Sequence, residues 1–294
     1  MSSSSVARYR SGVPPLRRDS SGDLDGDGYG RIFPAHSAFV QSSATDHEFT
    51  YKPILDTLQP APGMRILEVG AGPGFLAQKL ASTGAEVMAV DPSFESVAAA
   101  QRKYSPAQFP SLSFKVIPEG DLSALRGREV DAAVLSYLLC TESEQSAIVS
   151  LLTGVREALK PDGKLVIVNA NWEKSNGADF VSWEMPHVDG LKSGDPVITI
   201  LKGQNGHPDI EVQDFYWSAN DYTSMLEQAG FEVESIAEPT ADPNDETWKD
   251  ERTQPPNLII TAKLADPEKG DPVTGGHRQG SEPITLRPPL DQSS

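Results

Sequence analysis

Two periodicities alternate along the middle of the chain. Short apolar runs at Met64–Gly70, Glu86–Asp91, Leu112–Ile117, Val130–Leu135 and Lys164–Ala170 predict buried strands. Helical spacing marks the stretches between them. Phe75–Ser82 carries Leu76, Leu80 and Ala81, and Ser93–Tyr104 opens on Ser93 as a plausible N-cap. Glu144–Leu159 has apolar residues at 147, 148, 151, 152, 155 and 159, an amphipathic stripe. Pro161-Asp162-Gly163 predicts a turn, since proline presets φ and glycine accepts a positive one. Strands alternating with helices imply right-handed βαβ units and a parallel sheet. The nearly continuous apolar strands fit a sheet covered on both faces.

Beyond Asn171 the rhythm changes. Val197–Lys202 and Ile210–Trp217 are β-like runs flanking Gln204-Asn205-Gly206, and Asn-Gly is a strong hairpin signal. Ser218 and Asp221 resemble a capping box with Asp in place of Glu, predicting a helix to Ala229 that Gly230 ends. Phe231–Ala237 and Asn257–Leu264 read as two further strands. The acidic, proline-rich Glu238–Pro256 between them reads as a mobile loop. Residues 1–28 and 265–294 hold too little apolar surface to offset the entropy of ordering, so flexible tails are expected around a domain at 29–264.

Composition narrows the partners. The chain has 294 residues and a formal charge of −17, from 25 Lys plus Arg against 42 Asp plus Glu. That field repels a nucleic-acid backbone, so no nucleic-acid partner is expected. No apolar run reaches the ~18 residues of a membrane span, and the N-terminus lacks the apolar stretch of a secretory signal. A single cysteine, Cys140, argues against internal disulfides, cysteine-held zinc and iron–sulfur clusters, and a reducing cytoplasm is the simplest home. No metal is expected. Asp23–Asp27 imitates the start of a calcium loop, but Pro34 stands where a bidentate Glu is required.

The segment that carries chemistry is Ile66-Leu-Glu-Val-Gly-Ala-Gly-Pro-Gly74. It reads as a strand, a glycine-rich turn and a helix start, where bare N–H groups favour an electronegative ligand group. Asp91 ends the next strand, where a carboxylate can accept from both hydroxyls of a ribose. A dinucleotide fingerprint needs a third glycine where Phe75 stands. Glu68 at the strand end would repel a diphosphate and suits a ligand bearing ammonium and sulfonium charges.

Here the sequence resembles the class I S-adenosylmethionine-dependent methyltransferases. The match is Glu68–Gly74, Val90-Asp91, Gly120-Asp121-Leu122, Val130-Asp131 and Leu159-Lys-Pro-Asp-Gly163, over roughly residues 51–171, with Asp214–Leu264 fitting the closing helix and strand pair. The resemblance implies a Rossmann-like, doubly wound α/β fold. Its seven-stranded sheet would be mostly parallel with an antiparallel last strand, and a hairpin or lid insert would occupy 172–217. It implies S-adenosyl-L-methionine as cofactor and S-adenosyl-L-homocysteine as product. Gly70, Ala71, Gly72 and Gly74 would lie against the methionine and ribose parts, with Glu68 orienting the amino-acid end. Asp91 would hold the ribose, with Pro92 and Ser93 beside the adenine. Gly120 and Asp121 would meet the adenine amino group, and Leu122 would pack on its ring. Ser136 and Tyr137 would border the transferring methyl.

Methyl transfer from a sulfonium is an in-line displacement, so catalysis can rest on positioning and exclusion of water. A lid is therefore sought at Tyr29–Tyr51 and Asn171–Trp217. Their aromatic content gives substrate-side candidates: Tyr29, His36, Trp172, Trp183, Tyr216 and Trp217. Candidate catalytic groups are Tyr137, His187 and Glu173, with His36 and His47 as further bases. A radical mechanism lacks its cysteines, and Ser136-Tyr-Leu-Leu139 is not the Asn/Asp-Pro-Pro-Tyr of base and glutamine-amide methylation. What remains is a small, secondary-metabolite substrate with nitrogen as the favoured acceptor, acted on by a monomer or homodimer. O-, S- or C-transfer, or a non-catalytic S-adenosylmethionine-binding module, stay open.

Overall fold

The computed structural model describes residues 28–118 and 121–266, the side chains of 28–32 excepted. The two expected tails fall almost entirely outside these residues.

Three helices precede the sheet: α1 (Gly28–Ser42), α2 (Ala44–Asp46) and α3 (Lys52–Leu58), the last two joined by a π-helical turn at His47–Tyr51. Strands and helices then alternate: β1 (Arg65–Val69), α4 (Phe75–Ala81), β2 (Glu86–Asp91), α5 (Phe94–Lys103), β3 (Leu112–Val116), β4 (Val130–Ser136), α6 (Gln145–Arg156) and β5 (Leu159–Ala170). An insert follows, with α7 (Trp172–Ser175), β6 (Trp183–Glu184), β7 (Pro196–Leu201) and β8 (Ile210–Phe215). The chain returns through α8 (Ala219–Gln228), β9 (Phe231–Ala237) and β10 (Asn257–Leu264).

The main sheet has the order β3-β2-β1-β4-β5-β10-β9, and the insert forms its own sheet, β6-β7-β8. β1 pairs in parallel with both β2 and β4, while β10 runs antiparallel to β5 and β9. The chain leaves β1 toward β3 and returns on β1's other side as β4, so the topological switch lies between β1 and β4. A crevice opens beyond the carboxyl ends of strands at such a point.

Strand side chains alternate between two cores, which is why the strands read as unbroken apolar runs. Leu67, Leu135, Leu165 and Ile167 meet α6 and α8 on one face. Ile66, Val87, Val134 and Val166 meet α3, α4 and α5 on the other. A third cluster (Phe39, Trp172, Phe180, Trp183, Met185 and Val197) lies beneath the insert.

Local signals set the boundaries. Ser93 Oγ caps α5 by accepting from Ser96 N at 3.1 Å, and Ser218 with Asp221 forms the full capping box of α8. Asn205 (φ 54°) and Gly206 (φ 83°) turn the β7–β8 hairpin.

Two expectations are corrected. Pro161–Gly163 is not a free turn but part of a bulge inside β5. Val130 faces Leu159 and Ala132 faces Lys164, so residues 160–163 loop out, and Gly163 does not take a positive φ. Pro161 has no N–H to give a ladder, and Lys160 folds back to pair with Asp131. Glu238–Pro256 is pinned rather than loose. Fully buried Glu251 accepts from Thr45 Oγ1 (2.8 Å) and Val181 N (2.7 Å), tying this segment to α2 and the insert.

Candidate functional site

A cavity of about 530 Å³ fills the crevice, within the usual range for a small-molecule site. Its floor is the β1–α4 turn. Gly70 and Gly72 both have positive φ (76° and 51°), which a side chain resists. A Cβ on Gly72 would meet nothing within 4 Å, so open space faces its backbone. Asp91, ending β2, locks this turn in place. Its Oδ2 accepts from Gly72 N at 2.8 Å and its Oδ1 from Ser93 N at 2.9 Å.

Glu68 stands beside them, only 3% exposed. Desolvation, then the Asp91 charge, push its carboxyl up to about 8, against a hydrogen bond from the Ala77 backbone. Its buried Oε2 has no hydrogen-bond partner. A dry carboxyl with an orphaned oxygen fits an ammonium group, and the Asp91 carboxylate with the glycine cradle fits a ribose. The residues present thus suit S-adenosyl-L-methionine.

Further lining comes from the N-terminal helices and the end of β4. Tyr137 takes a left-handed backbone (φ 52°), a strained conformation for a bulky residue costing on the order of 1–3 kcal/mol. It is held there by its amide bond to Val168 O (2.7 Å) and by its hydroxyl. That hydroxyl lies 2.7 Å from Thr50 Oγ1, 3.0 Å from Asn257 Oδ1 and 3.1 Å from Asp46 Oδ1. Burial, with Asp46 nearby, drives the phenol well above its usual range, so it stays protonated and donates. Asp46 is 4% exposed and closes α2 where the π turn begins, a distortion that often marks functional sites. Desolvation raises its carboxyl to about 6, against hydrogen bonds from Tyr137, Ser43 and Trp183. His36 also lines the cavity, and desolvation holds its ring down to about 4, so it is neutral near pH 7.

The cavity brings together Glu68, Gly70, Ala71, Gly72, Asp91, Pro92, Ser93, Leu122, Ser136, Tyr137, His36 and Trp183. Other candidates lie elsewhere. Gly74 caps α4, where a Cβ would sit 2.6 Å from the Phe114 ring, so packing explains its glycine. Asp121 is exposed and off the cavity, its carboxylate held by Ser123 N. Trp172 is buried under the insert, with Tyr216 packed against that cluster, and Trp217 is buried in the core with its Nε1 donating to Glu142 O. Glu173 and His187 do not line the cavity. Glu173 accepts from Ala219 N at the start of α8, and His187 sits exposed beside Asp189. His47 contacts Gln41 O. Gly120, the Tyr29 side chain and Asp23–Asp27 lie outside the described residues.

Sequence reasoning missed Asp46. A capping spacing, Ser43-x-x-Asp46, was available and forms, with Ser43 Oγ accepting from Asp46 N at 3.1 Å. It signals a helix start, not a buried carboxylate.

A family model described as a methyltransferase domain matches residues 66–163. The N-demethylindolmycin N-methyltransferase of Streptomyces griseus is 30% identical over 183 residues, 60% of this chain and 75% of that protein. The mitochondrial ubiquinone biosynthesis O-methyltransferase of Mus musculus is 24% identical over 220 residues, covering 72% of this chain and 53% of that one. Among solved structures, the CcbJ methyltransferase of Streptomyces caelestis shares the fold with a TM-score of 0.60 at 16% identity, over 82% of this chain and 98% of that one. Kinship over three quarters of the Streptomyces griseus enzyme extends well past the glycine turn: this chain belongs to the class I S-adenosylmethionine-dependent methyltransferases, enzymes that take their methyl group from S-adenosyl-L-methionine.

Proposed function

We propose that the enzyme methylates a nitrogen of a small secondary metabolite. The observation that carries this reading is the charge of the cavity wall. Asp46, Glu68, Asp91, Glu95, Glu142 and Asp214 line it, and no Lys or Arg does among the described residues. Such a wall disfavours anionic substrates and welcomes neutral or cationic ones. Phe39, Trp183 and Phe215 add flat apolar surface for an aromatic guest. The N-methyltransferase among the relatives agrees with this reading.

When bound, S-adenosyl-L-methionine supplies an electrophilic methyl on an already activated sulfonium leaving group. The chain positions and dries it. Glu68 would take the ammonium on Oε2, Asp91 the ribose hydroxyls, and Pro92, Ser93 and Leu122 the adenine. Ser136 and Tyr137 would border the reacting methyl. The helix α1 and the β7–β8 hairpin, through Phe39, Val40, Leu201 and Val212, would act as the lid that excludes water.

The test is turnover with methyl-13C-labelled cofactor on matched panels of amines, phenols and thiols, with the product read by NMR. An N-methyl carbon shift supports the reading, and an O- or S-methyl shift from amine-free acceptors alone overturns it.

A further inference from the structure

Asp46 is the buried carboxylate that neither sequence reasoning nor the cofactor end accounts for. It lines the cavity, and an ordered chain of hydrogen bonds ends on it. Asn257 Nδ2 donates to Phe49 O (3.0 Å) and Thr50 Oγ1 (2.8 Å). With that oxygen accepting, the Thr50 proton points to the Tyr137 hydroxyl, and the Tyr137 proton is shared between Asp46 and Asn257 Oδ1. Trp183, from the insert, lines the same cavity. Three segments distant in sequence, at 46–50, 137 and 257, therefore converge around one carboxylate at the cavity wall. A side chain needed only to cap α2 would not require that scaffold.

We propose that Asp46 receives the acceptor nitrogen as an ammonium and takes its proton, making the substrate a basic amine. This rests on the nitrogen reading above. In the step, one N–H bond breaks and one O–H bond forms on Asp46. The freed lone pair bonds the methyl carbon while the carbon–sulfur electron pair leaves on sulfur. The sulfonium charge ends on the methylated nitrogen, so charge balances.

The groups facing Asp46 suit this task. Tyr51 and Tyr137 stay protonated across the working range, and neutral His36 brings no competing cation. Glu68 lines the same cavity, and its charge and that of Asp46 both reach Tyr51. Asp46 titrates at about 6, so it is mostly ionised at neutral pH yet basic enough to accept a proton.

The experiment is the pH profile of kcat/KM for primary and secondary arylalkylamines, phenethylamine and tryptamine among them, with phenol and thiol counterparts. In the wild type, kcat/KM rises to a plateau above about pH 6, because the enzyme takes the ammonium form. Asp46→Asn should lose about 100-fold or more near pH 6.5 and then climb tenfold per pH unit toward the amine's own pKa, since free amine must arrive. Calorimetric affinity for S-adenosyl-L-homocysteine should be unchanged. Tyr137→Phe, which removes the last donor of the chain, should move the acid limb upward and serves if Asp46→Asn does not fold. A uniform drop with no change in profile shape, or an unmoved limb in both variants, overturns the role of Asp46 while leaving nitrogen transfer intact. An enzyme that methylates phenols or thiols but no amine overturns both.

Discussion

Glu68 offers a direct test of the cofactor end, because its protonation must change when an ammonium arrives. Burial, with Asp91 beside it, moves its carboxyl from 4.5 to about 8. Between these values the folded protein holds a proton that the unfolded chain has released. The site's contribution to stability is full below pH 4.5 and declines as pH rises toward 8. At 1.36 kcal/mol per pH unit the whole decline is about 5 kcal/mol, of which about 3 has occurred by pH 7. An ammonium on Oε2 reverses the preference by stabilising the carboxylate, so binding expels the proton. Affinity for S-adenosyl-L-homocysteine should rise with pH, approaching tenfold per unit between about pH 5.5 and 7, with close to one proton released at pH 6. Calorimetry in two buffers of different ionisation enthalpy counts that proton. Glu68→Gln should abolish the release, flatten the pH dependence of affinity and weaken binding. It should also flatten the fall of apo melting temperature between pH 5 and 8. A pH-independent affinity with no proton release in the wild type would refute the reasoning.

Other perturbations separate binding from packing. Asp91→Ala should weaken S-adenosyl-L-homocysteine by about tenfold or more, since it removes a charge-assisted acceptor pair and frees Gly72 and Ser93 from their anchor; unchanged calorimetric affinity would remove Asp91 from the site. Gly74→Ala forces a Cβ to 2.6 Å from the Phe114 ring at φ 79°, so thermal unfolding should show a loss of roughly 1–3 kcal/mol. The cofactor affinity of the folded fraction should be preserved, and a selective affinity loss would place Gly74 in the site after all. Trp183→Phe keeps an aromatic cavity wall but shrinks it and removes the indole N–H, so KM for the amine should rise several-fold while cofactor affinity stays put. Equal loss of both would mean a folding effect.

The sheet was legible because its physics is local. A strand buried on two faces must be apolar where both cores cover it, and Val87–Val90 of β2, Ala132–Leu135 of β4 and Leu165–Val168 of β5 are. The caps at Ser93 and Ser218 and the Asn205-Gly206 turn each depend on a few neighbouring residues, and each forms where the sequence puts it. Pro161–Gly163 was misread because turn chemistry and bulge chemistry use the same residues. Pairing with β4 decides between them, and pairing is not local. Glu238–Pro256 was misread because acidity suggested solvent. The three donors that satisfy Glu251, from Thr45, Val181 and Lys249, come partly from across the chain.

The same distinction explains which half of the site could be read. The cofactor end is a continuous strand–turn–helix plus the tip of the next strand, so glycine spacing and one acid suffice to find it. The acceptor end has no such continuity. Ser43, Thr45, Asp46 and Thr50 form a polar string that resembles a surface segment, yet all four are buried. Their burial is tolerable only because the end of β4 sends Tyr137, β10 sends Asn257 and the insert sends Ser182 to satisfy them. Choosing bases by residue type instead selected Glu173 and His187, whose polar atoms the fold commits to a helix start and to a surface aspartate. A carboxylate becomes a base through the low dielectric around it and the donors that aim it, and at Asp46 the donor comes from Tyr137, far away in sequence.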